Sequence, residues 1–220
     1  MFIPLKDLNP RRSYPVVNVA LILVNFAAFI YELTLPGPLL KSFLMVNAAV
    51  PERVPAWFSG HPHVGFVPAF LPIITSMFLH GGWAHILGNM LFLWIFGDNV
   101  EDYFGHIGYL FFYFLCGIAA AFLHIAFNLH SAIPTLGASG AISGVMGAYA
   151  VLYPRARILT LVLIFFLPIP AIVILGYWFL LQFLEGIGSL GVMASGGVAW
   201  WAHVGGFIFG MLLTWAIKRR

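Results

Sequence analysis

Residues 137–148 read GASGAISGVMGA, and small side chains recur in this stretch at every fourth position. Residues 202–210, AHVGGFIFG, repeat the same spacing. The small residues are Gly140, Gly144 and Ala148 in the first stretch and Ala202, Gly206 and Gly210 in the second. Positions four apart share one face of an α-helix, and a face of small residues lets two backbones approach closely. The two stretches are therefore predicted to pack against each other as helices.

The composition around these stretches indicates that both helices lie in a lipid bilayer. The chain is 62% hydrophobic and 8% charged, and its mean hydropathy is +0.99. A soluble globular chain carries roughly a quarter charged residues, so this chain is predicted to be an integral multi-pass membrane protein. The net charge of +3 comes from basic residues beside apolar segments. That placement indicates membrane topology, and no nucleic-acid partner is predicted.

Six apolar segments approach the roughly 20 residues that a helix needs to cross a hydrocarbon core of about 30 Å. They are residues 15–35, 83–99, 107–128, 138–153, 158–182 and 194–217. We therefore predict an all-α fold, a polytopic bundle of six transmembrane helices that forms one domain over residues 1–220. Most Lys and Arg residues fall on one side of this bundle. Both termini are therefore predicted to be cytoplasmic, with the protein in a prokaryotic cell membrane.

Two links between the predicted spans are distinctive. Residues 36–82 hold seven prolines among several aromatic residues, which predicts a broken segment lying at the membrane interface. Residues 183–197 are rich in glycine. This second link fits a mobile cap over a site and an ordinary flexible loop equally well.

Ser139 and His203 are the candidate catalytic residues, since each lies near the start of a span that runs in the same direction. Backbone N–H groups at the start of a helix can stabilise an oxyanion beside Ser139, and His203 can take the proton of its hydroxyl. The alternative for His203 is a structural hydrogen bond between helices, worth about 0.6 kcal/mol. No Asp or Glu in the outer half of a span is predicted to orient His203, which favours a Ser-His dyad over a triad.

His85 and Asn89 are four residues apart and share one helical face. Both can donate hydrogen bonds to a carbonyl oxygen as it becomes negative, or they form a polar pair in the bundle core.

His80 and His85 lack the carboxylate of a His-Glu-x-x-His helix, so no metal site is predicted. The single Cys116 allows no disulfide within the chain.

At these residues the chain resembles the rhomboid family of intramembrane serine proteases. The resemblance is carried by residues 75–89 (TSMFLHGGWAHILGN), 137–140 (GASG) and 202–206 (AHVGG). It implies a six-helix core in which Ser139 is the nucleophile and His203 the general base and acid. It also implies an oxyanion and substrate-binding site at His85, Asn89, Gly137 and Ala138 and the Ser139 amide, with supporting roles for His80, Gly140 and Gly206.

The resemblance implies an endopeptidase that cleaves transmembrane helices of other proteins near the outer membrane face, without a cofactor. One rival is a non-catalytic rhomboid-like protein that binds such helices. Another is a small transporter, for which inverted repeats are expected and are not seen in the sequence.

The chain departs from the family pattern twice. Leu71-Pro72 replaces a Trp-Arg pair, and Ser143 replaces an aromatic residue that packs on the catalytic imidazole. The oligomeric state is not predicted.

Overall fold

The computed structural model describes residues 2–189 and 198–218, which form nine α-helices, one 3-10 helix and three strands. The helices are α1 Val16–Thr34, α2 Gly37–Asn47, α3 Arg53–Phe58, α4 Phe66–Thr75, α5 Trp83–Phe104, α6 His106–Phe127, α7 Ser139–Leu152, α8 Ala171–Gly188 and α9 Trp200–Ile217, with the 3-10 turn at Ser76–Phe78. The strands are β1 Phe2–Asp7, β2 Arg157–Val162 and β3 Phe165–Pro170, and they form one sheet in the order β1-β2-β3.

The predicted class, a mostly helical polytopic membrane protein, is confirmed. Within the described part of the chain, four helices, α1, α6, α8 and α9, are long and apolar enough to cross a membrane. The helical segment 66–78 and α5 meet at a bend of 78°. If these two helices together form one broken span, the number of spans is five. The helix α7 is apolar but has only 14 residues, about 21 Å of helical rise. The predicted count of six full-length spans is therefore not confirmed.

The prediction for the fifth span is wrong in its first half. Residues 157–170 form the hairpin of β2 and β3, and α8 begins only at Ala171. Pro168 and Pro170 hold the residues before them in extended conformations, which ends any helix in this run. The antiparallel pairing of β1 with β2 was also missed by the all-α prediction. The predicted start of the sixth span at residue 194 lies outside the described residues, and α9 begins at Trp200.

The helix α7 occupies the centre of the bundle, and all its residues from Gly140 to Ala150 are buried. It runs parallel to α9, because Ser139 contacts His203 at one end and the Lys218 ammonium donates to the carbonyl oxygen of Val151 (2.9 Å) near the other. The predicted packing of the two small faces is present. A β-carbon added to Gly210 would lie 2.1 Å from the carbonyl oxygen of Gly144.

A buried carboxylate joins α5 to the start of α1 at the opposite end of the bundle from Ser139. The carboxylate of Glu101 accepts the N–H groups of Val17 (2.9 Å) and Asn18 (2.7 Å). These are among the backbone donors that the first turn of a helix leaves without an intrahelical partner, and the positive end of the helix dipole favours the carboxylate. This contact fixes α1 against α5 and so supports the N-terminal half of the fold.

The proline-rich link 36–82 folds into short helices instead of one span. The ring of Trp57 packs edge-on against Phe58 and Phe70, at centroid distances of 4.8 and 5.1 Å. Phe58 is 72% exposed, as expected for a segment whose outer side faces the membrane interface.

The glycine-rich link begins in the last turns of α8, and its residues 190–197 lie outside the described part of the chain.

Candidate active site

The first residue of α7 and the first turn of α9 bring a hydroxyl and an imidazole into hydrogen-bonding distance. The Oγ atom of Ser139 lies 2.7 Å from Nε2 of His203. His203 is only 8% exposed, whereas Ser139 is partly exposed. The pair forms because Gly206, one turn after His203, approaches Gly140, one residue after Ser139, at backbone contact. The small faces seen in the sequence therefore position this pair.

The other nitrogen of the His203 ring contacts a residue that sequence reasoning missed. Nδ1 of His203 lies 2.6 Å from Oε1 of Gln182 in α8, and Gln182 is itself 8% exposed. An amide oxygen only accepts hydrogen bonds, so the Nδ1 atom carries the proton in this contact. Gln182 stands alone as an amide or charged residue in the apolar run 171–184, and this isolation is the sequence signal that could have identified it.

His85 and Asn89 lie on one face of α5 beside Ser139, as their spacing predicts. Nδ1 of His85 accepts the N–H of Gly81 (3.3 Å), so the neutral ring carries its proton on Nε2. The Nδ2 atom of Asn89 is buried and has no hydrogen-bond partner among the described residues. Two side-chain donors therefore border the same space as the Ser139 hydroxyl.

Gly137 and Ala138 shape the approach to α7. Gly137 has a φ of +126°, and a β-carbon there would lie 2.7 Å from Nε2 of His85. Its N–H donates to the carbonyl oxygen of Ser76 (2.9 Å), so this amide is already engaged. Ala138 is fully buried, and its carbonyl oxygen accepts the N–H of Ile142 (3.0 Å) in the first turn of α7. Both residues contribute close backbone packing here.

A cavity of about 720 Å³ opens beside these groups. Its polar lining includes Ser139, His203, His85, Asn89, Ser143 and Thr135. Its apolar lining includes Phe92, Ile142, Met146, Trp178 and Val198. The Ser139 hydroxyl, the two imidazoles and the Asn89 amide therefore border one space.

His80 lies behind His85, at a ring-centroid distance of 5.1 Å. Its backbone N–H points to the carboxylate of Glu32, 3.2 and 3.4 Å from the two oxygens. Both ring nitrogens of His80 are buried without a hydrogen-bond partner within the described residues. Glu32, at the end of α1, is 3% exposed and was not expected to take part here. This contact anchors the loop before α5, and neither residue reaches the Ser139 hydroxyl.

The two departures from the family pattern have distinct structural consequences. The Ser143 hydroxyl donates to the carbonyl oxygen of Ser139 (2.6 Å), so it bonds back to its own helix and does not hold the imidazole. The ring of Trp178 lies 5.9 Å from that of His203 at an interplanar angle of 37°. An aromatic contact on the imidazole therefore comes from α8. Pro72 is buried inside α4, while Leu71 is 53% exposed.

The fold and these contacts define a class: a polytopic helical membrane protein with a buried histidine hydrogen-bonded to a serine at a helix start. The family model named Rhomboid domain matches residues 68–220, which include both residues of that pair. The chain belongs to the rhomboid family.

Individual relatives agree with this membership. Rhomboid protein 1, mitochondrial, of Saccharomyces cerevisiae is 32% identical over 70% of this chain and 44% of its own length. Rhomboid-like protein 11, chloroplastic, of Arabidopsis thaliana is 29% identical over 69% of this chain and 54% of its own length. Rhomboid protease GluP of Bacillus subtilis is 34% identical over 56% of this chain and 24% of its own length. The chain thus spans about half or less of the length of these relatives.

Proposed function

We propose that the protein is an intramembrane serine endopeptidase that cleaves transmembrane-helix substrates through a Ser139-His203 dyad. The observation that carries this proposal is the 2.7 Å contact between Oγ of Ser139 and Nε2 of His203 at the wall of the cavity. A nucleophile and its base within hydrogen-bond reach are the signature of covalent acyl transfer. One relative, GluP, carries the word protease in its name, which agrees with this chemistry.

In the first step, Oγ of Ser139 attacks the carbonyl carbon of the scissile peptide bond and its proton passes to Nε2 of His203. The carbonyl oxygen gains negative charge. Nδ2 of Asn89, Nε2–H of His85 and the N–H of Ser139 are the donors proposed to stabilise that charge. Because the Nδ2 atom of Asn89 has no partner among the described residues, it can donate to the oxyanion without breaking an existing bond.

In the second step, His203 gives its proton to the nitrogen of the leaving strand, the C–N bond breaks and an ester on Ser139 remains. Water then attacks this ester while His203 accepts a proton from it. The Ser139 oxygen leaves and recovers that proton, which releases a new carboxyl end. These steps use side chains of this chain and water, with no metal or organic cofactor.

The length of α7 bears on where cleavage occurs. Its 14 residues cover about 21 Å, so Ser139 lies about 9 Å below the outer boundary of a core of about 30 Å if the helix ends at the inner one. A helical substrate hides its carbonyl groups in hydrogen bonds, so it must unwind locally near that depth. Substrate helices with Gly, Ala, Ser or Pro near the outer end are therefore the proposed class.

A topology with both termini in the cytoplasm is part of this proposal. Basic residues meet at the end of the bundle opposite Ser139, since Lys6 lies in β1, Arg157 in the paired β2 and Lys218 just after α9. Lys and Arg favour the cytoplasmic side of a membrane.

The prokaryotic cell membrane expected from the sequence has no support from the relatives, because several of them are named mitochondrial or chloroplastic.

Cleavage of a single-span substrate in liposomes tests this function. Wild type is expected to release a product whose mass locates the cut near the outer end of the span. Ser139→Ala and His203→Ala are each expected to lower kcat by about 10³-fold or more, as for members of one catalytic unit. If folded wild type binds the substrate helix and never cuts it, the rival reading of a non-catalytic helix-binding rhomboid-like protein replaces this proposal.

A further inference from the structure

We propose that Gln182 is a positioning residue for the His203 imidazole and, through Nδ1, fixes which ring nitrogen accepts the Ser139 proton. This inference rests on the proposed function for its catalytic consequence. Its geometric basis is the 2.6 Å contact between Oε1 of Gln182 and Nδ1 of His203, both on buried side chains. The Gln182 side chain comes from α8, a different helix from those that carry the dyad.

A neutral imidazole holds one proton, on either Nδ1 or Nε2. Only the form with the proton on Nδ1 leaves Nε2 free to accept from the Ser139 hydroxyl. The amide oxygen of Gln182 selects that form, since an oxygen 2.6 Å away needs a donor on Nδ1. A buried imidazole without this acceptor is free to place its proton on Nε2, where it blocks the transfer from Ser139.

Among the described residues, Gln182 is the hydrogen-bond partner of Nδ1, and the neighbouring side chains are bonded elsewhere or lack an acceptor. The Ser143 hydroxyl donates to the Ser139 carbonyl oxygen, and the ring nitrogens of His203 contact Gln182 and Ser139 instead of it. Trp178 and Trp200 flank the ring at centroid distances of 5.9 and 6.2 Å, but an indole N–H only donates. Gln182 therefore supplies, as a neutral amide, the orientation that an Asp carboxylate gives in a Ser-His-Asp triad.

The amide differs from a carboxylate in one testable way. A carboxylate beside the ring stabilises the charged imidazolium, whereas the neutral amide orients the ring without favouring its charge. The other titratable groups that influence the His203 ring, within the described residues, are His85 from α5 and His124 from α6. Replacing the amide by a carboxylate thus changes the charge at one position and leaves those two groups in place.

The variants Gln182→Met and Gln182→Glu test this role, with Thr214→Val as the matched control. Met keeps the approximate volume and removes the strong acceptor. It is expected to lower kcat by about 10- to 10³-fold with KM changed less than about threefold, as for loss of alignment in the reacting pair. Thr214 is a fully buried polar residue near the far end of α9, so its replacement by Val reports the effect of a polar-to-apolar core change alone.

Gln182→Glu restores an acceptor to Nδ1. At high pH, the kcat of Gln182→Glu is expected to exceed that of Gln182→Met by at least about tenfold. The acidic limb of its kcat-pH profile should move to higher pH by about one unit or more, because the carboxylate stabilises the protonated base. A Met variant that matches Thr214→Val, or a Glu variant with the Met variant's rate and the wild-type pH profile, overturns the proposal.

Histidine ¹⁵N NMR separates failure of this inference from failure of the proposed function. In detergent-solubilised wild type, the His203 ring, assigned by its loss in His203→Ala, is expected to carry its proton on Nδ1. In Gln182→Met, the His203 ring is expected to shift toward the tautomer with its proton on Nε2, whether or not the protein cleaves a substrate. An unchanged Nδ1–H signal in a folded Met variant refutes the positioning role. If Gln182→Met does not fold, the shorter amide of Gln182→Asn gives the same test, with the same expected and contradicting signals.

Discussion

A β-carbon on Gly206 would lie 2.0 Å from the carbonyl oxygen of Gly140. These two glycines stand next to the proposed dyad, since Gly140 follows Ser139 and Gly206 lies three residues after His203. The backbone contact between them therefore sets the distance between the hydroxyl and the imidazole.

Gly206→Ala is expected to push α9 away from α7. Overpacking of this kind costs about 1–3 kcal/mol of stability. A displacement of the base by about 1 Å can also lower kcat about 10²-fold. Thermal unfolding in detergent and the rate of substrate cleavage measure the two effects.

Gly176→Ala in α8 is the control for the glycine contact. A β-carbon at Gly176 meets no atom within 4 Å, so this change is expected to be neutral or stabilising by up to about 1 kcal/mol from helix propensity. If Gly206→Ala is as stable and as active as Gly176→Ala, the close contact does not position the dyad.

Asn89→Ala is expected to lower kcat by about 10²- to 10³-fold while KM stays nearly unchanged, because the lost donor acts on the developing oxyanion. Stability should not fall, since the buried Nδ2 atom has no partner to lose among the described residues. Single-turnover cleavage and thermal unfolding read the two quantities. A large loss of stability with an unchanged rate per folded molecule would instead support a structural polar pair at this position.

The carboxyl of Asp7 gives the protein a predictable pH dependence. Burial raises the pKa of Asp7 from 3.8 to about 6, although the hydrogen bond from Tyr149 (2.6 Å) lowers it in part. The folded state therefore binds this proton more tightly than the unfolded state. The resulting stability is fully present below pH 3.8 and is lost as the pH rises through about 6.

For Asp7 we expect a loss of about 1 kcal/mol between pH 4 and pH 7, reduced from the full shift because the side chain is partly exposed. In a chain of this size that corresponds to a Tm change of about 2–4 °C. Asp7→Asn should remove this component, so the difference in Tm between wild type and variant should change with pH in that interval. A difference that stays constant across the interval contradicts the assignment.

The proposed orientation is testable with single cysteines. In a Cys116→Ser background, Lys218→Cys is expected to react with a membrane-impermeant maleimide only after cells are permeabilised, because it lies at the basic end of the bundle. Lys41→Cys, in α2 near the other end, should react in intact cells. The reverse pattern would invert the topology and move the Ser139 cavity to the cytoplasmic side.

The contact between Ser139 and His203 and the helix packing behind it were predictable from the sequence because the signals are local. Small residues four apart show which helix faces can meet, and Ser139 and His203, near the starts of two apolar segments, mark polar positions beside those faces. Gln182 was equally visible as a lone polar residue. Its partner was not predictable, because the rotation of α8 depends on packing against α9, as in the contact of Gly186 with Trp201.

The hairpin was missed for a different reason. Residues 158–170 are apolar enough to be counted as part of a span, and hydropathy alone does not distinguish a strand from a helix. Pro168 and Pro170 were the local evidence against a helix. The pairing of β1 with β2 joins residues more than 150 positions apart, as between Ile3 and Leu161, which no local pattern reveals.

Covalent labelling of Ser139 tests the central claim most directly. A serine-directed fluorophosphonate, added to folded protein in detergent, is expected to add one adduct to wild type, located on Ser139 by peptide mass. Ser139→Ala should gain none, and His203→Ala should react at least about 10²-fold more slowly because the hydroxyl has lost its base. A folded wild type that gains no adduct and cleaves no substrate, or that reacts equally well without His203, would contradict the account of an activated serine at the start of α7.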